Sequence, residues 1–253
     1  MASAPANVIL FFAVTKLIAM EQIPVYIDIV FMLTLAATVF LFYRSASNSK
    51  IVLVILGAWM ALQGVLAGTG FYANTQTLPP RFLLTLAPPV LCIIYLFITK
   101  NGRTFIDSLN MRTLTILHVI RIPVEMVLFY LFIYKTIPQI MTFEGRNLDI
   151  LSGISAPIVY YLAYVKGRTN KWLLLAWNFA SLLLLINIVT IAILSTPYPF
   201  QKFGFDQPNI AVFYLPFIWL PAVIVPIVLF SHLVAFRQLL AGSAAYKTVL
   251  AKN

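Results

Sequence analysis

His118, Arg121 and Glu125 stand at i, i+3 and i+7 inside one apolar run, residues 113–135, and no other hydrophobic run of the chain holds such a cluster. An imidazole, a guanidinium and a carboxyl brought together can bind a charged solute, relay a proton, or act as general base and acid. Ionisable groups in an apolar medium cost several kcal/mol unless paired or wetted, so the cluster is a functional-site candidate by default. On a helix the three share one sector ~60° wide, bordered by Thr115 one turn earlier. Arg121 and Glu125 also have the i, i+4 spacing of an intrahelical ion pair. Such a pair is either a structural pin between helices or part of a site, and spacing alone leaves both open. Pro123 withholds a backbone donor, which leaves the Val119 carbonyl without its helical partner and adds an acceptor on the opposite flank.

The composition says what medium surrounds this cluster. Hydrophobic residues fill 62% of the 253 positions and charged residues 9%, against roughly 45–50% and about 25% in soluble globular proteins. That is the composition of an integral membrane protein, with 20 Phe, 12 Tyr and 4 Trp available for the aromatic belts at the two interfaces. The net charge of +10 resides in short loops between apolar runs, which indicates membrane orientation and not nucleic-acid binding. Cys92 is the single cysteine, so an intramolecular disulfide and a cysteine metal cluster are excluded. No Gly-rich phosphate loop or Ser-His-Asp motif is present. The first twenty residues lack the basic start and small-residue cleavage site of a secretory signal and are expected to stay on the chain.

A crossing of a ~30 Å hydrocarbon core takes roughly 20 apolar residues. Seven runs meet that test, at about 23–43, 51–72, 82–99, 113–135, 148–165, 172–195 and 211–236. The expected fold is therefore an all-α, seven-helix polytopic bundle forming one membrane domain over residues 1–253. Lys and Arg collect on one side, as Arg44, Lys50, Lys100, Arg103, Arg112, Lys166, Arg168, Lys171, Arg237, Lys247 and Lys252. The other side has Lys16, Arg81, Lys135, Arg146 and Lys202, with the acids Glu21, Glu144, Asp149 and Asp206. The positive-inside bias puts the amino terminus outside and the carboxyl terminus in the cytoplasm of a cell membrane, a bacterial cytoplasmic membrane being the expected setting. Residues 8–20 are apolar but short and interrupted by Lys16. They read as an interfacial helix on the outer surface, with an eighth span as the alternative.

Depth arithmetic then sorts the other polar residues. With residue 124 as centre, Glu125 lies within ~2 Å of the midplane, Arg121 ~5 Å and His118 ~9 Å toward the cytoplasm. On the same side Asn178 lies ~8 Å and His232 ~13 Å away, so both can converge on His118. Gln63 falls near the midplane and Asn187 ~5 Å outside it, where they would extend a polar path. The two histidines also admit a bis-histidine haem reading, against the ordinary one of hydrogen-bonded interface residues. No carboxylate at their depth completes a metal set, and no metal site is assigned. The outer segment TFEGRNLDILSGISAP, with Glu144, Arg146, Asn147 and Asp149, would form a mouth, with Asn147 or Asp149 suited to cap the next helix. Asp28, a few residues inside the first run, would meet Arg146 or Lys16, or carry a coupling proton. Pro88 and Pro89 in the third run, and Pro216, Pro221 and Pro226 in the seventh, predict bent helices. Residues 87–97 and 220–230 match without gaps at Pro, Val, Ile, Leu and Phe, the pattern expected of two three-helix repeats around the fourth span.

Three resemblances bear on function. The layout is similar to that of microbial rhodopsins, but the seventh run has no Lys for a retinal Schiff base. Pro138 and Gln139 resemble the dipeptide of small PQ-loop sugar transporters, without a second copy. Residues 123–130 resemble the Pro-x-Glu-Glu motif of membrane lycopene cyclases, with Met126 in place of the second acid. None of these assigns a family. The residues themselves point to a multi-pass protein that transports or binds a small anionic or proton-linked solute. Arg121 would be its fixed cation, Glu125 its titrating acid and His118 a relay toward the cytoplasm. The alternatives are an intramembrane enzyme acting on lipid or isoprenoid, with Glu125 as acid and His118 as base, a haem or quinone redox protein, and a sensor. The expected partners are the bilayer and a small solute or lipid, and no cofactor is assigned.

Overall fold

A computed structural model describes residue 20 and residues 22–166 and 170–241. Its helices, in chain order, are α1 Val25–Ser45, α2 Lys50–Gly68, α3 Leu83–Ile98, α4 Lys100–Ser108, α5 Met111–Ile133, α6 Ile150–Val165, α7 Lys171–Leu194 and α8 Leu220–Ala241. Short 3-10 turns punctuate the loops, and no strand occurs among the described residues. The interfacial helix expected over residues 8–20, apart from Met20, lies outside the described residues. So do Lys16, Glu21, Arg168, Lys247 and Lys252.

Helices α1, α2, α5, α7 and α8 are long and apolar enough to cross a membrane, and the bent pair α3 and α4 makes a sixth when taken as one span. The architecture is thus compatible with a membrane protein, and it departs from the expected seven runs in three places. The run 148–165 becomes α6, which at 1.5 Å per residue is ~24 Å long and falls short of a ~30 Å core. In the run 211–236, residues 211–219 form a 3-10 turn and irregular turns, and helix begins at Leu220. Pro216 accounts for that late start, because it lacks an N–H and disfavours helix in the residue before it, whereas Pro221 falls in the first turn, where a missing N–H costs little.

The third departure is at the end of α3, where the chain turns by 97° into α4. Thr99 ends α3 in an extended conformation, and its hydroxyl accepts the Gly102 N–H at 3.1 Å to cap α4. A Cβ at Gly102 would collide with the Leu96 carbonyl, so glycine permits this corner. Helix α4 exposes Lys100, Asn101, Arg103 and Thr104 and buries Ile106. It is tied down by Gln238, whose amide donates to the Ile106 and Leu109 carbonyls at 2.8 and 2.9 Å. The half-buried pair Arg237–Asp107 adds a two-pronged contact at 2.9 and 2.7 Å. That pair contributes about 1 kcal/mol or less, whereas the buried amide satisfies the Leu109 carbonyl and gives the Ile106 carbonyl a second donor beside the Leu109 N–H.

Helices α5 and α8 are the inner ones, with 50% and 67% of their most apolar stretches buried, against 11% for α2 and 22% for α7. Outward-facing Ile51, Val54 and Val65 of α2 leave an apolar surface that suits lipid better than water. Loops gather at two ends. At one, the Asn110 N–H donates to the Ser45 carbonyl at 2.9 Å, joining the basic segments after α1 and α4. At the other, Phe82, Tyr198 and Phe213 pack their rings within 5.4–6.2 Å of one another. The stretches matched as repeats differ in detail, since 87–97 lies in regular helix while α8 opens with a π turn at Leu220–Ile224.

Candidate functional site

Helix α5 is not regular. A 3-10 turn, His118–Ile120, separates segments Met111–Leu117 and Arg121–Ile133. Pro123 falls in the first turn of the second segment, where its missing N–H costs little. On α6, Gly153 faces this turn, and a Cβ there would meet Ile122 Cγ1 at 2.8 Å and Arg121 Cβ at 3.3 Å. The absent side chain lets α6 approach the backbone of α5 and brings the segment before α6 down to Arg121.

Arg121 is buried, and it links four parts of the chain. One terminal nitrogen donates to Asp149 Oδ1 at 3.0 Å, just before α6, and to the Ser181 carbonyl of α7 at 3.1 Å. The other lies 2.9 Å from His232 Nε2 on α8. The hydrogen-bond network sets the histidine tautomer. Asn178 uses its amide nitrogen on the Leu174 carbonyl at 2.9 Å, so its oxygen faces His232 Nδ1, also at 2.9 Å. Nδ1 must therefore carry the hydrogen, and Nε2 accepts from Arg121. His118 stacks on His232 with ring centroids 4.1 Å apart and planes 18° from parallel. Trp177 meets His118 edge-on at 5.4 Å. Parallel stacked rings, one with both nitrogens engaged, do not have the disposition of bis-histidine haem ligation, which needs two rings directed at one iron from opposite faces.

Glu125 does not pair with Arg121 as the i, i+4 spacing led us to expect. Its Oε1 accepts from Asn147 Nδ2 at 2.6 Å, while Arg121 turns to Asp149. The 3-10 turn and the close approach of α6 supply a better-placed carboxylate than the one on the same helix. Asn147 also donates to the Met141 carbonyl at 2.9 Å and accepts the Asp149 N–H at 3.0 Å. Asp149 occupies the position before α6 but makes no side-chain cap. Glu125 Oε2, Arg121 Nε, His118 Nδ1 and Ser152 Oγ are buried and without a hydrogen-bond partner among the described residues.

The structure thus brings together His118, Arg121, Glu125, Asn178 and His232, and adds Asn147 and Asp149 from what read as an outer mouth. It separates the rest. Glu144 and Arg146 are exposed, and the Arg146 carbonyl accepts from exposed Asn187 at 2.9 Å. Gln63 is buried apart, holding the Tyr72 hydroxyl at 2.6 Å. Asp28 lines a different cavity between α1, α2 and Tyr214. Trp177, Ser181 and Ser152 escaped sequence reading. Ser181 stands at i+3 from Asn178, on the same helix face, which is the signal that pointed to it, whereas Trp177, at i−1, had none.

A cavity of about 80 Å³ adjoins the cluster. Arg121, Glu125 and Asp149 form one end, Leu128, Leu185, Ile188 and Val228 belong to an apolar wall, and Thr196 and Asn209 lie at the far end. The charged end holds two carboxyls and one guanidinium, whose terminal nitrogens are already engaged. One acid is left without a cationic partner, and burial requires a proton or a ligand's positive charge to neutralise it.

Fold and site together define a helical protein, compatible with a membrane setting, with a buried ionisable centre at the end of an apolar chamber. The chain belongs to the family described as Domain of unknown function (DUF8737), whose model matches residues 79–240. That stretch contains the whole cluster from His118 to His232 and omits α1 and α2, with Asp28 and Gln63. No curated protein and no solved structure matches the chain.

Proposed function

We propose that the protein is a seven-span multi-pass protein of a cytoplasmic membrane, amino terminus outside and carboxyl terminus inside, that binds and translocates a small solute in exchange for a proton on Glu125. The seven spans comprise α1, α2, α3, α5, α6, α7 and α8, the ~24 Å helices α3 and α6 being accommodated by local thinning of the bilayer, with α4 lying along the cytoplasmic interface. The observation that carries the reading is the chamber whose charged end has two acids and one already-engaged arginine. Of the solutes that the sequence suggested, a proton-linked one is better supported than an anionic one, because a second anion would meet two carboxyls while both terminal nitrogens of the one guanidinium already hold partners. His118 stacks on His232 and does not line the chamber, which favours binding over acid and base chemistry shared between His118 and Glu125. Its role is to hold His232, and through it Arg121, in place.

Infrared spectroscopy of the protein in lipid nanodiscs tests the proton. The wild type is expected to show a protonated-carboxyl band that disappears as the pH is raised and is absent from Glu125→Gln. A Glu125 that stays ionised from mildly acidic to mildly alkaline pH would overturn the proposal.

A further inference from the structure

Resting on the proton-exchange reading, we infer that the solute is an organic cation with a narrow apolar body, of the alkylammonium class, seated with its positive group on Glu125. Shape supplies the first argument. The lining follows α7 from Leu185 to Ile193, a rise of ~12 Å at 1.5 Å per residue, and continues past the helix end to Thr196, while the cavity holds only about 80 Å³. A chamber so long for its volume accepts a chain and excludes a bulky solute. Its wall is apolar, so the body of the ligand is hydrocarbon.

Charge and hydrogen-bond polarity supply the second. Among the lining residues the buried atoms without partners among the described residues are Glu125 Oε2 at one end, Asn209 Oδ1 at the other and Arg121 Nε, two acceptors against one donor once the acid is ionised. The chamber therefore calls for a donor, and at the Glu125 end for a positive one. Binding then proceeds with balanced charge: the ammonium takes the place of the Glu125 proton, which leaves to solvent, and the site keeps its net charge. Reprotonation of Glu125 from the opposite side releases the cation.

The test uses the full chain in nanodiscs, in weak buffer, with hexylammonium, hexanoate and hexanol as probes. Hexylammonium is expected to release a proton from the wild type as it binds. Glu125→Gln is expected to lose that release and to bind roughly 10- to 100-fold more weakly, with Glu125→Asp restoring part of both. Where the Gln variant fails to fold, Ile188→Trp, which fills the chamber, is expected to remove the hexylammonium response. Proton uptake with hexanoate, an equal response to hexanol, or full response in Ile188→Trp would overturn the cation assignment while leaving Glu125 exchange intact. Absence of the titrating Glu125 infrared band would instead remove the exchange reading beneath it.

Discussion

Arg121 meets Asp149 at 3.0 Å, a partner 28 residues away, in preference to Glu125 one turn along its own helix. The choice leaves Glu125 hydrogen-bonded only through Asn147 and lining the chamber, with one oxygen buried and unpartnered. This division of labour, one acid fixed by the arginine and one available, underlies the proposed exchange.

Breaking the fixed half strands a buried charge. Arg121→Met or Asp149→Leu is expected to destabilise the protein by about 3–5 kcal/mol, and the two replacements together by less than the sum. Reversible unfolding in mixed micelles measures the cycle, and additive losses would show that the pair is not coupled.

The tautomer of His232 is a second consequence. Nitrogen NMR of imidazole-labelled protein is expected to find the hydrogen on Nδ1 and a lone pair on Nε2. Asn178→Ala removes the acceptor and should mix the two tautomers. A hydrogen on Nε2 in the wild type contradicts the described network.

Close helix approach at Gly153 gives a third. Gly153→Ala places a methyl 2.8 Å from Ile122 Cγ1 and is expected to cost about 1–3 kcal/mol through overpacking. Because α6 must retreat, the Arg121–Asp149 coupling measured in that background should fall. Unchanged stability would show that α6 moves freely.

Topology is testable in a Cys92→Ser background. An impermeant maleimide should label Asp206→Cys in intact cells and Asn101→Cys only after permeabilisation. The reverse pattern would invert the proposed orientation.

His118, Arg121 and Glu125 could be read from sequence because ionisable residues in an apolar run are expensive and therefore conspicuous. Asn178 and His232 followed from depth, since helical rise converts residue number into height. Rotation about a helix axis has no such ruler, so Gln63 read as a member of the path although it faces Tyr72. Asn147 and Asp149 read as a solvated mouth because nothing local announces that a loop folds inward; the signal was Gly153, whose missing side chain matters only once α5 is beside it. The helices themselves were visible in hydropathy. Their ends were not, because the corner at Thr99 and Gly102 and the irregular stretch before Leu220 depend on capping and proline geometry that a hydropathy run passes over.

The most direct measurement is the infrared titration of Glu125 in lipid nanodiscs. A protonated-carboxyl band that fades with rising pH and is missing from Glu125→Gln is the expected result. A band unaffected by that replacement, or a carboxylate ionised at every pH examined, would contradict proton exchange at this residue.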